Sequence, residues 1–423
     1  ASLLYACRVV NQPHSSSSRQ AALQCLLKWE NGHAFAESLI EQIAQQANLG
    51  KSDRSLTQAI VFGVLRNKSW LDYVISTLRK GTLDQSTRIL LEIGLCQTFI
   101  MQLAEHAAVF ETVNLAPERV RGLINAILRS ALRQKSEIIK DKETQAPFIS
   151  YSMPEWMVQR WVHAYGEEDT LAILKWNNNP PSLYARRNPL IPLSDDAESL
   201  VALEGVPGWF EINGPLPIDS IRSGALYIAD PSTRHAVDML APAEGEKILD
   251  ACAAPGGKAA AIIAASAGKA KLTATDSAEH RLPTLLNNLE RQGSLIPVET
   301  AQMDWTQACP PCWKSYFDAI LLDVPCSNTG VIQRRVDVRW RLSPHEIERI
   351  TELQLSILEN AAQAVKQGGR LVYSTCSIET EEDSGLIARF LARHPDFKLD
   401  REHLALPCRE KADGAYAALL IRA

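Results

Sequence analysis

Apolar residues recur every third or fourth position through the first third of the chain. Phe35, Leu39, Ile43 and Ala47 stand one helical turn apart, as do Leu56, Ile60 and Val64, then Leu91, Leu95 and Phe99, and finally Leu123, Ile127 and Ala131. A repeat near 3.6 residues gathers such positions on one face of a helix, so residues 19–140 predict an all-α bundle with its own core. Gly81 and Gly122 fall between the periodic stretches, where turns are expected. Residues 1–18, closing on Ser15 to Ser18, read as a tail, and the polar run 140–147, closing on Pro147, as a linker. The periodicity is weak over 148–232, a stretch dense in Pro and Trp that predicts a small α+β region.

From about residue 243 the pattern alternates. Residues 246–253, 272–276, 298–301, 319–322 and 370–375 are short, apolar and partly β-branched, which predicts strands. Helices are expected at 257–267, 278–291 and 343–366, the last with Ser343 as N-cap, Pro344 in the first turn and Gly368 just past its end. Alternating strands and helices make a parallel sheet covered on both faces, so 233–423 predicts an α/β domain whose ligands sit at the carboxyl ends of its strands.

Composition narrows the class. With 423 residues, 46% of them hydrophobic and 22% charged, the chain is neither collagenous nor largely disordered. It carries no apolar run of the roughly 18 residues a membrane helix needs, and no basic stretch leading into an apolar core at its start, so no membrane partner is expected. The nine cysteines are odd in number and widely scattered, which suits free thiols and a cytoplasmic location. The net charge of −5 is unevenly spread: 16 basic against 11 acidic residues over 1–140, and 28 against 38 over the rest. A basic front suits tracking a phosphate backbone, and a solvated helical surface accounts for it equally well.

The candidate chemistry lies at the expected strand ends. The first strand runs into Asp250-Ala251-Cys252-Ala253-Ala254-Pro255-Gly256-Gly257-Lys258, where a glycine pair lets the backbone approach a ligand closely. This is not G-x-G-x-x-G, which disfavours a nicotinamide-dependent oxidoreductase. Asp276 ends the second strand, where an acid can bind ribose hydroxyls, and Asp304 follows the third. The fourth enters Asp323-Val324-Pro325-Cys326-Ser327 and the fifth Ser374-Thr375-Cys376-Ser377. A single such Asp is often a helix cap and a single such Cys a small buried hydrophobe; their succession along one sheet edge points to a shared cleft. Cys309-Pro310-Pro311-Cys312 lacks a second ligand pair and reads as loop cysteines, with a metal or redox role as the alternative; the histidines show no metal-binding spacing, and His235 and His280 read as surface or packing residues.

The blocks from Leu249 to Lys258, from Asp323 to Gly330 and from Tyr373 to Ser377 resemble the signatures of the RNA cytosine carbon-5 methyltransferases. In the helical front, 62–66, 106–108 and 122–129 are similar to the NusB-type domain of the bacterial Sun/Fmu-type 16S ribosomal RNA group. The resemblance covers nearly the whole chain after the tail. It implies a multidomain architecture: an all-α NusB-like N-terminal bundle, a small α+β linker region and an α/β Rossmann-like methyltransferase domain dependent on S-adenosylmethionine. It further implies that Cys252, Ala253, Ala254, Pro255, Gly256, Gly257 and Lys258 cradle the methionine part of the cofactor. Asp276 would then bind the ribose, Asp304 lie near the adenine, and Asp323 stand between cofactor and base. Cys376 becomes the nucleophile and Cys326 the thiol that helps release the product.

That chemistry gives two thiols a use. Carbon-5 of cytosine is too weak a nucleophile to take a methyl group directly, and a thiolate adding to carbon-6 makes carbon-5 reactive. The expected substrate is an unpaired or flipped cytosine of 16S ribosomal RNA, met by a monomeric enzyme. Arg334, Arg335, Arg339 and Trp340 form a basic stretch with an aromatic, which predicts phosphate and stacking contacts with RNA, a solvated loop being the alternative. A transfer RNA target and a non-catalytic RNA-binding assembly factor stay open as other readings. The chain also differs from the family pattern: Ala259 replaces a Thr, Val336 a Pro, and Asp383 an Asn.

Overall fold

The computed structural model describes residues 15–292 and 298–423. The described residues divide into two compact units, one running to residue 178 and including 339–341, the other formed by the rest of the described chain from residue 179 onward.

The first unit is helical. Its elements are α1 (Ser15–Glu30), α2 (Ala36–Gln46), α3 (Lys51–Arg66), α4 (Lys68–Leu78), α5 (Gln85–Leu95), α6 (Glu105–Leu115), α7 (Glu118–Arg133), α8 (Lys135–Lys142), α9 (Pro147–Ser150) and α10 (Glu155–Asn178). The apolar faces read from the repeat meet inside: Ile60, Val64, Leu91 and Ala131 are fully buried. Asp84 caps α5, its carboxylate accepting from the Thr87 amide at 3.0 Å.

Three sequence expectations change here. Ser15 to Ser18 open α1 rather than ending a tail, and residues 1–14 lie outside the described residues. Gly122 lies inside α7, with open space where a side chain would stand. α8 runs on past residue 140 to Lys142, and α9 and α10 pack with the helical unit, so that compact unit extends to Asn178.

The second unit holds two sheets. The smaller is antiparallel, in the order β2-β3-β1-β4, from β1 (Tyr184–Arg187), β2 (Leu200–Ala202), β3 (Trp209–Ile212) and β4 (Leu226–Ile228), with α11 (Ile218–Arg222) between the last two. After α12 (Arg234–Leu240) comes the seven-stranded sheet. Its strands are β5 (Lys247–Asp250), β6 (Lys271–Asp276), β7 (Glu299–Gln302), β8 (Phe317–Asp323), β9 (Val365–Thr375), β10 (Phe397–Ala405) and β11 (Ala415–Arg422), in the order β10-β11-β9-β8-β5-β6-β7. β5 to β9 are parallel; β10 and β11 form an antiparallel hairpin beside β9. The helices are α13 (Gly257–Ala265), α14 (Leu282–Arg291), α15 (Val338–Arg341), α16 (Pro344–Ala362), α17 (Ser384–Arg393) and α18 (Pro407–Glu410).

Helices on both faces explain why β8 reads as an unbroken apolar run: Ala319, Ile320, Leu321 and Leu322 are all fully buried. Ser343 caps α16 as its sequence indicates, accepting from the Glu346 amide at 3.2 Å. The helix stops at Ala362, however, and Gly368 (φ 73°) lies within the long strand β9 instead of ending a helix. The chain runs outward through β5, β6 and β7, then resumes on the other side of β5 with β8. The crevice at this reversal opens between the carboxyl ends of β5 and β8, where Asp250 and Asp323 stand.

Candidate active site

The turn from β5 into α13 shapes one side of the crevice. Gly256 precedes the helix with φ 107°, a left-handed backbone that a residue with a Cβ adopts only under strain, and a Cβ there would meet Leu285 Cδ1 at 3.0 Å. The Ala253 amide donates to Thr275 O (2.7 Å) and Asn288 Nδ2 to Pro255 O (2.8 Å), tying the turn to β6 and α14. The Asp276 carboxylate accepts from the amides of Ala254 (3.2 Å) and Ala278 (3.0 Å) and pairs with Arg281 (3.2 Å).

A cavity of about 190 Å³ opens over this turn, lined among others by Asp250, Cys252, Ala254, Pro255, Lys258 and Asp323. Asp250 is fully buried, and neither carboxylate oxygen has a hydrogen-bond partner. Burial, with the Asp323 charge behind it, pushes its pKa up to about 7. An unpaired buried carboxylate facing a cavity is strongly disfavoured unless a donor or cation enters.

The other side of the crevice carries sulfur. Cys326, just past β8, and Cys376, just past β9, are half-buried with their Sγ atoms 3.0 Å apart. The Cys376 thiol donates to Asn328 Oδ1 at 3.2 Å, while Asn328 Nδ2 donates to the Cys326 carbonyl at 2.8 Å. Asn328 holds φ 62°, a left-handed conformation Asn tolerates better than most residues. The contact with Cys376, and then burial, raise the Cys326 pKa well above the ordinary thiol range, so this sulfur keeps its proton at neutral pH. A Cβ on Gly330 would meet the Cys376 carbonyl at 2.8 Å, so the two loops close only on glycine.

Lys258 and Asp323 join the two sides. Lys258 Nζ lies 2.7 Å from Asp323 Oδ2, and Ser374 Oγ donates to Asp323 Oδ1 at 2.8 Å. Burial works against the ammonium, but Asp323 outweighs it and keeps the Lys258 pKa above its usual value. A smaller cavity of about 60 Å³ reaches Cys376 and shares Lys258 and Thr233 with the first.

Behind the cysteines a buried carboxylate spans both loops. Glu382 Oε2 accepts from the Ser327 amide and from Gln354 Nε2, each at 2.9 Å, and Oε1 from Ser377 Oγ at 2.7 Å. Ser327 follows Cys326 and Ser377 follows Cys376, so one side chain sets the spacing of both. Next to it Asp383 is buried, its Oδ1 accepting from Thr375 Oγ1 at 2.7 Å; burial raises its pKa well above the carboxylate range despite that bond.

The strand-end residues thus converge, except for Asp304. It is exposed after β7, where its carboxylate caps its own turn through the Thr306 amide (2.9 Å) and hydroxyl (2.7 Å). The basic stretch is mostly spent inside the protein. Arg334 pairs with Asp413 (2.7 Å) and Asp230 (2.8 Å). Arg339 is fully buried in the helical unit, donating to the carbonyls of Ser152 and Asn177 (3.1 Å each). Trp340 Nε1 donates to Leu65 O at 2.8 Å, which leaves Arg335 as the exposed member of the four. Cys309 is buried and Cys312 exposed, and the eight cysteines among the described residues are free thiols. His235 packs on His403, and both rings contact Glu410, at 2.9 and 2.6 Å. Asp250 drew no role from the sequence, although an acid at the end of the first strand was the signal that could have found it; Asn328 and Glu382 have no signal in spacing.

Known proteins place the chain. The profile for 16S rRNA methyltransferase RsmB/F matches residues 237–420, that of the NusB family 16–133, and that of the RsmF/B-like ferredoxin-like domain 153–202. Ribosomal RNA small subunit methyltransferase B of Escherichia coli O127:H6 is 34% identical over 93% of this chain and 99% of its own length. The protein of that name from Citrobacter koseri is 32% identical over 94% and 100%. The chain belongs to the 16S rRNA methyltransferase RsmB/F family. The fold agrees: the crystal structure of PH0851 superposes with a TM-score of 0.76 at 24% identity, covering 97% of this chain and 99% of that one. NSun6 from Pyrococcus horikoshii, solved with SFG, gives 0.57 at 19%, covering 64% and 98%.

As an RsmB/F-family methyltransferase, the chain uses S-adenosylmethionine, and the crevice suits that group. The unpaired Asp250 carboxylate matches an amino group, and the cavity of about 190 Å³ opens beside it over the turn. Residues that could hold it are Asp250 and those of the 252–258 turn that line the cavity, while Asp276, expected at the ribose, braces the turn through the Ala254 amide.

Proposed function

We propose that the chain methylates carbon-5 of a cytosine in 16S ribosomal RNA through a covalent bond between Cys376 and carbon-6 of the base. The observation that carries this is the pair of sulfurs 3.0 Å apart at the ends of β8 and β9, beside the Asp323 that also lines the cofactor cavity. The names of the relatives supply the RNA, and the NusB-type helical unit suits a large RNA substrate.

The geometry supports the following roles. Cys376, which stands at the end of β9 where the family resemblance puts the nucleophile, is the sulfur that attacks. The S–C6 bond forms as the electron pair of the 5,6 double bond moves to carbon-5. Asp323, fixed by Lys258 and Ser374, accepts a hydrogen bond from the amino edge or the protonated ring nitrogen of cytosine. When bound, S-adenosylmethionine supplies an electrophilic methyl group. Release then requires loss of the carbon-5 proton and cleavage of the S–C6 bond, restoring the 5,6 double bond, and Cys326 lies beside the sulfur that must leave. A paired base cannot present carbon-6 to a thiol, so the target is unpaired or flipped.

Mapping 5-methylcytosine in total RNA from cells with and without the protein tests this reading. One 16S site should vanish, and Cys376→Ala should fail to restore it while still binding cofactor. Full turnover by Cys376→Ala would refute the adduct, and loss of a transfer RNA site instead would move the target.

A further inference from the structure

A third cavity, of about 350 Å³, is larger than both cavities of the crevice, and most of its lining has had no role so far. It lies between the small sheet and the helices α12 and α13. Its charged lining is one-sided: Arg186 and Arg187 on β1, Arg234 on α12 and Lys258 on α13, against Asp238.

Among the described residues, two of these cations lack a counter-charge. Arg186 Nη2 is buried without a hydrogen-bond partner, its guanidinium 5.8 Å from the Tyr227 ring centroid. Burial lowers its pKa to about 10, so it stays charged at neutral pH. Arg187 is half-buried, and among the described residues its guanidinium has no hydrogen bond or ion pair. Arg234 reaches Asp238 only at 4.0 Å, and that carboxylate is 70% exposed. Leaving a buried guanidinium nitrogen unpaired is costly, and the acceptor that matches the fork of an arginine is a carboxylate or a phosphoryl group.

The position of the cavity selects between them. Thr233 and Lys258 line this cavity, the cofactor cavity and the cavity at Cys376 alike, so the basic lining adjoins the place where the target base must lie. A cytosine delivered to Cys376 brings its own strand with it, and the anions of that strand are phosphodiesters. We propose that this cavity is a phosphate subsite for the RNA strand next to the target cytosine, with Arg186 and Arg187 as its anchors. The inference rests on the RNA reading above and adds the contact that seats the strand.

The test uses the full chain, a 16S ribosomal RNA transcript, free cytidine monophosphate and S-adenosylmethionine. Arg187→Gln and Arg186→Gln should each raise the Kd for RNA about three- to tenfold. Each should also lower the slope of log affinity against log salt by about 0.7–0.9, the value of one phosphate contact. Arg186→Lys, which keeps the charge, should recover part of the loss. The KM for RNA should rise with kcat nearly unchanged, and calorimetric affinity for S-adenosylmethionine should stay at the wild-type value. Wild-type RNA affinity and salt slope in a folded Arg187→Gln variant would overturn the proposal, and that variant decides even if the buried Arg186→Gln does not fold. Saturable cytidine monophosphate binding lost in Arg187→Gln, with RNA binding intact, would also overturn it, marking a site for free nucleotide. A wild-type protein that neither binds nor methylates the transcript refutes the RNA reading itself, a result distinct from the failure of the two arginines.

Discussion

Removing the carboxylate of Glu382 should separate the two catalytic loops without touching either sulfur. In Glu382→Ala the Ser327 amide loses the partner it holds at 2.9 Å, in a place no water reaches, since Glu382 and Ser327 are 0% and 2% exposed. A buried donor left unpaired costs about 1–3 kcal/mol. Gln354 keeps its bond to Pro325 O (3.0 Å), and Ser377 Oγ keeps its contacts with Ser327 Oγ and Thr329 Oγ1 (3.2 Å each). Each of these two loses about 0.5–1.5 kcal/mol, so the variant should be destabilised by about 2–6 kcal/mol. Glu382→Gln retains an oxygen for Ser327 and Gln354 and should lose about 1 kcal/mol. The function-specific readout is the sulfur pair: the rate at which an added diazene oxidant joins Cys326 to Cys376 should fall at least tenfold in Glu382→Ala and less than threefold in Glu382→Gln. Urea unfolding gives the first quantity, and mass spectrometry of the oxidised protein the second. A folded Glu382→Ala that is destabilised by less than about 1 kcal/mol and crosslinks at the wild-type rate would show that Glu382 does not set the spacing.

Two further outcomes are expected. Asp383→Asn should raise the melting temperature at pH 8 and leave it nearly unchanged at pH 4. An acid whose pKa is higher in the folded than in the unfolded chain costs stability as pH climbs above the unfolded value, by about 1.4 kcal/mol for each pH unit separating the two, and an amide removes that cost. Equal melting temperatures for the two proteins at pH 8 would contradict a carboxyl held neutral by burial. Cys326→Ala should accumulate a protein–RNA adduct that survives denaturation, seen as a retarded band sensitive to ribonuclease, and its absence at wild-type turnover would remove Cys326 from product release.

The helical front, the α/β back and the meeting of the two strand-end cysteines were legible in the chain itself. A periodic apolar face or a two-sided apolar strand is a local property, and a parallel sheet brings successive strand ends together whatever the loops between them do. Cys326 and Cys376 could therefore be matched across fifty positions from the strands that carry them. What a polar side chain does once folded is a different matter, because its partner is chosen in space. Arg334, Arg339 and Trp340 look like an open basic patch along the chain, yet they satisfy carboxylates and carbonyls as remote as Leu65, 275 residues away. Arg186 and Arg187 looked ordinary and were left with unpaired charge. Glu382 and Asn328 took their roles from the loops packed around them. Local pattern determines which elements form and in what order they meet; only the closed structure decides which donors and charges find partners inside the protein and which are left for a ligand.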